Sequence, residues 1–113
     1  MKYRLVILPR AAADICRNAE WWAQHHSSEQ AARWLDTVQT QLESIVVFPE
    51  SHGLSPENGE FPYEIRDKLL GLGARPGFRA VFTIRDSTVY VLAVRRGAEG
   101  TLQLDDVEPL PSN

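Results

Sequence analysis

Residues 2–8, Lys-Tyr-Arg-Leu-Val-Ile-Leu, are rich in β-branched and aromatic side chains and stop at Pro9, the pattern of a strand. Pro9 suits the first turn of a helix, where its missing N–H costs little. Beyond it Ala12, Ile15, Ala19 and Trp22 recur at steps of three and four, one apolar stripe on a helix over about 10–25. The polar run His25-His26-Ser27-Ser28 breaks that stripe. Ser27 with Gln30 three residues on fits a capping box, so a second helix starts there. Its stripe is Ala31, Leu35, Val38, Leu42 and Ile45, and Phe48-Pro49 ends it. Neither helix is stable alone, so the two form a hairpin that lays its stripe on an apolar surface.

That surface is predicted from the second half of the chain. Residues 49–62 carry loop signals throughout. Strands follow over 63–70, 78–85 and 88–96, with turns at 71–77 and at Asp86-Ser87. Such short connections imply an antiparallel meander. The order β-α-α-β-β-β makes an α+β fold with the helices on one face of the sheet. Alternation assigns Tyr63, Ile65 and Leu69 to the core face, with Phe78, Ala80, Phe82 and Ile84, and with Tyr90, Leu92 and Val94. Arg66, Lys68, Arg79 and Arg95 then project together from the other face. That face is either an ordinary solvated surface or an anion-binding concavity for a phosphate backbone or an acidic peptide.

Composition narrows the classes. The chain has 113 residues, 43% hydrophobic and 24% charged, the size and balance of one folded domain over 1–113. A net charge of −3 argues against a protein that grips nucleic acid over its whole surface, and no direct DNA binding is expected. The charge is uneven: residues 61–96 hold 7 basic and 3 acidic side chains, whereas 97–113 hold 4 acidic and no basic ones. The acidic end, about 105–113, reads as a flexible tail. No run approaches about 18 apolar residues, so no membrane association is expected and the cytoplasm is the default location.

Cys16 stands alone, so no disulfide or thiolate zinc site is expected, and it reads as a packed small residue. His25, His26 and His52 read as solvated rather than metal ligands, and neither metal nor cofactor is implied. Trp22 and Trp34 sit on or beside the stripes and read as core. Trp21, offset by one position, marks a partner-facing edge. Gly71 and Gly73 are turn residues.

Several marks together resemble the RelE/ParE toxin superfamily of bacterial type II toxin–antitoxin systems. They are Tyr3 and Leu5 in the opening strand, Ala12 to Ile15, Trp22, Ala31-Ala32-x-Trp34-Leu35, Leu42 to Ile45, and Pro49 with Gly53. Tyr63-Glu-Ile-Arg66, Gly77-Phe78-Arg79-Ala-Val-Phe82 and Val89-Tyr-Val-Leu-Ala-Val94 complete the set. The resemblance implies one of two activities, ribosome-dependent cleavage of messenger RNA without a metal or poisoning of DNA gyrase, with a cognate antitoxin as partner. Arg79 matches the arginine of the strand-opening motif and Arg66 the second of two strand lysines, so these two would be catalytic in a nuclease. Glu64 falls where the first lysine would sit, and no tyrosine follows Tyr90. Those departures favour the ParE-like, gyrase-directed reading. The alternatives are a RelE-type endoribonuclease, or a non-toxic binding module of the same fold. Arg66, Lys68, Arg79, Arg95, Arg96 and Trp21 are the expected binding residues.

Overall fold

Six main elements follow in the expected order: β1 (Arg4–Ile7), α1 (Pro9–His25), α2 (Ser28–Ser44), β2 (Arg66–Leu70), β3 (Phe78–Arg85) and β4 (Thr88–Arg96). The computed structural model describes residues 2–73, 76–97 and 99–111. Pro9 opens α1, and Ser27 Oγ caps α2 by accepting the Gln30 N–H at 3.1 Å. The strand order is β1-β4-β3-β2. β2, β3 and β4 form the antiparallel meander, while β1 lies parallel to β4, so the sheet is mixed.

The helical hairpin covers one face. Trp34, Val38, Leu42 and Ile45 of the second helical stretch pack on Leu70, Phe78, Ala80, Phe82, Val89, Val91 and Val94. The stripes differ in detail from expectation. Trp34 is fully buried while Leu35 is 39% exposed, and Ala11 rather than Ala12 faces the sheet. Cys16 is exposed, not packed.

The first helix also buries Asp14 and Asn18. β1 has only four residues against nine in β4, so the outer edge of β4 runs on past its neighbour. Leu8 N–H donates to Val91 O at 3.1 Å, and the Asp14 carboxylate accepts the Val94 N–H at 3.0 Å. An acidic side chain on the inner face of α1 thus satisfies a strand donor that no strand reaches.

The opposite face is not a wet basic surface. Val81, Tyr90, Leu92 and Ala93 form a second apolar cluster there with Ile65, Phe61, Leu102 and Val107. Phe61 and Ile65 come from the segment before β2, and Leu102, Val107 and Leu110 from the chain after β4. A register shift between Val81 and Phe82 sets Phe82 opposite Val91 and Val81 opposite Ala93. This bulge turns Tyr90 and Leu92 to the second face and Val91 to the helices, reversing the assignment from simple alternation.

The pairing of β2 with β3 corrects the basic face as well. Residues opposite one another on paired strands share a face. Arg66 pairs with Phe82 and Lys68 with Ala80, on the helix side; Leu69 pairs with Arg79, on the other. Arg66 and Arg79 therefore lie on opposite faces. Leu69 is 64% exposed at the sheet edge rather than in the core.

The turn between β2 and β3 is tied to the hairpin by one side chain. The Gln41 amide donates to Gly71 O at 3.2 Å and accepts the Gly71 N–H at 2.9 Å. Gly71 has φ of 131°, and a Cβ there would meet Pro76 and Gly77 at 3.4 Å, so only glycine fits this turn.

Candidate functional site

The five expected basic residues fall into three separate environments. Arg79 has the most side-chain partners. Its guanidinium donates to Glu57 Oε1 at 2.9 Å, to Asp67 Oδ2 at 3.0 Å and to Ser55 Oγ at 3.1 Å. Glu57 is itself buried. It accepts the Ser55 hydroxyl and the Leu102 N–H, both at 2.8 Å. Burial alone would raise the Glu57 pKa, but the bonds from Arg79, Leu102 and Ser55 and the charge of Arg79 hold it down at about 2. Two carboxylates thus neutralise the arginine that the strand-opening motif supplies. Glu57 also anchors the chain after β4 to the loop before β2.

Arg95 opposes Arg79 across the β3–β4 pair and points the same way. It too is buried. It donates to Gly100 O at 2.5 Å and lies 3.5 Å from Glu99. These two arginines fasten the second layer rather than presenting free cations.

Arg66 and Lys68 sit at the other side of the sheet. Arg66 donates to His52 O at 2.6 Å and Glu50 O at 3.2 Å, and reaches exposed Glu64 at 3.4 Å. His52 is half-buried, its ring edge-on to Phe82 with centroids 5.7 Å apart, rather than freely solvated. Burial, and then the charges of Lys68 and Arg66, lower its pKa. Beside this group the Tyr3 hydroxyl donates to Glu50 at 2.6 Å.

Arg96 occupies a third position, over the Trp21 ring at 5.3 Å from its centroid. Trp21 stacks on His25, and the Trp22 and His26 rings meet tilted, with centroids 4.5 and 4.6 Å apart. Trp21, Trp22, His26 and Arg96 border a cavity of about 390 Å³ between the end of α1 and the Gly77–Phe78 and Arg96–Gly97 corners of the sheet. The structure thus brings together two expected binding residues, Trp21 and Arg96, and separates them from Arg66 and Lys68.

Sequence reasoning missed Glu57, Asp67 and Ser55. The acidic residues of a polar loop carried no sign that two of them would meet one arginine. Tyr90, the last tyrosine of the chain, is buried in the second cluster with 8% exposure.

A family model described as the ParE toxin of the type II toxin–antitoxin system parDE matches residues 5–100. A solved structure of the chromosomal ParDE TA system from P. aeruginosa superposes with a TM-score of 0.69 at 20% identity. The match covers 84% of this chain and 96% of that one, which establishes a shared fold. No curated protein matches the chain significantly.

Proposed function

The chain belongs to the family of ParE toxins of type II toxin–antitoxin systems, and from that premise we propose that it arrests growth by binding an essential protein rather than by cutting RNA. DNA gyrase is the favoured target, the cytoplasm the site of action, and a cognate antitoxin the agent that neutralises it. The observation that supports a binding mode is the state of Arg79. Metal-free RNA cleavage needs cations free to meet the charge developing on phosphate, and groups to move protons at the two oxygens. Here Arg79 is held between Glu57 and Asp67, and Arg66 lies on the opposite face. A carboxylate pair beside the phosphate would repel it. Glu64, 69% exposed in its side chain, adds negative charge beside Arg66.

The test is expression of the wild type alone in a bacterial host. Growth, message integrity by primer extension and DNA supercoiling are then followed together. Growth arrest with intact message, an SOS response and inhibited supercoiling is expected. Codon-positioned cuts in translated message would overturn the proposal in favour of the endoribonuclease reading. Normal growth without antitoxin would leave a non-toxic binding module.

A further inference from the structure

The cavity beneath Trp21 and Arg96 has an unbalanced chemistry. Its walls are the Trp22 and Phe78 rings, its volume is about 390 Å³, and no carboxylate among the described residues lines it. Arg96 makes no ion pair among the described residues, unlike Arg79 and Arg95. The Trp21 ring already carries His25 and Arg96, which argues against a nucleobase stacking on it.

We propose that this cavity is an anchor pocket for the antitoxin, receiving a leucine, isoleucine or phenylalanine side chain whose neighbouring aspartate or glutamate pairs with Arg96. The inference rests on the toxin–antitoxin reading and adds the place and chemistry of one contact. The apolar walls take the anchor side chain out of water, and buried anchors of this kind carry a large share of interface energy. Arg96 at the rim, without an ion-pair partner among the described residues, selects an acidic neighbour and rejects a basic one. Glycine at positions 77 and 97 keeps the mouth clear of side chains; a Cβ at Gly77 would meet nothing within 4 Å.

The experiment titrates the purified cognate antitoxin into wild type, Arg96→Gln, Arg96→Glu and Arg33→Glu by calorimetry. Tryptophan emission is followed in parallel. Arg33 is an exposed residue of α2 and serves as the charge control. Arg96→Gln is expected to weaken binding about tenfold and Arg96→Glu more, with Arg33→Glu unchanged. Raising salt should narrow the gap between wild type and Arg96→Gln. If Arg96→Glu fails to fold, Arg96→Gln still decides. Equal affinity for wild type and both Arg96 variants would overturn the pocket while leaving the toxin–antitoxin reading intact. An antitoxin that does not bind wild type would overturn both. Displacement of bound antitoxin by a thymidine oligonucleotide from wild type but not from Arg96→Gln would reassign the pocket to nucleic acid.

Discussion

At the scale of single residues, the bonds that Glu57 accepts from Arg79, Leu102 and Ser55 couple stability to pH. Glu57 titrates near 4.5 when unfolded and at about 2 when folded. A depressed carboxylate contributes stability that is complete above the unfolded value and is lost as pH falls through the folded one. Urea midpoints measured between pH 6 and pH 2 should therefore fall below about pH 4.5, and the fall should be shallower in Glu57→Gln. Arg79→Ala should cost about 3–5 kcal/mol at neutral pH, because it strands two carboxylates, one of them buried. Loss of toxicity in that variant must accordingly be read beside its melting curve.

At the scale of elements, α1 does the work of a fifth strand along the upper part of β4. Asp14 is its means: the carboxylate meets Val94 N–H at 3.0 Å, Arg17 at 2.9 Å and Arg10 at 3.3 Å. Asp14→Ala leaves that amide unpaired in the interior and should destabilise by about 2–4 kcal/mol. Asp14→Asn retains a carbonyl acceptor and should cost less. Hydrogen exchange at the Val94 amide reports the loss directly, faster in Asp14→Ala than in Asp14→Asn. The elements themselves were legible: β3 and β4 end where alternation and the Asp86-Ser87 turn place them. Their facing was less so. Adjacent Trp34 and Leu35 both fit a helical stripe, and only the contact with Phe78, centroids 5.1 Å apart, selects Trp34. The bulge at Leu92 has no glycine or proline to announce it. Alternation shows which residues share a face of β2 but not which face meets the helices, because both faces of this sheet carry apolar residues. That is why Arg66 and Arg79 were grouped on one side.

At the scale of the whole molecule, the sheet lies between the helical hairpin and a layer of irregular chain. Residues 99–111 hold this layer in place. Leu102 is fully buried, Glu108 accepts the Arg10 N–H at 3.1 Å, and Arg10 also reaches Asp106 O. Ending the chain after residue 98 should bare Tyr90, Leu92 and Val107's neighbours to water and leave Glu57 without the Leu102 amide. Such a chain should bind a hydrophobic dye and melt at markedly lower temperature than the full one. A truncated chain as stable as the full one would show that the layer is dispensable.

The parallel pairing of β1 with β4 has a consequence for synthesis. Residues 4–7 are translated well before their partners 88–91. Until β4 is made, β1 has no native neighbour and the hairpin has no finished platform. Contacts so distant in sequence form late. A nascent chain stalled before residue 88 cannot complete the sheet, so any surface that depends on the closed fold arises only once β4 has been made.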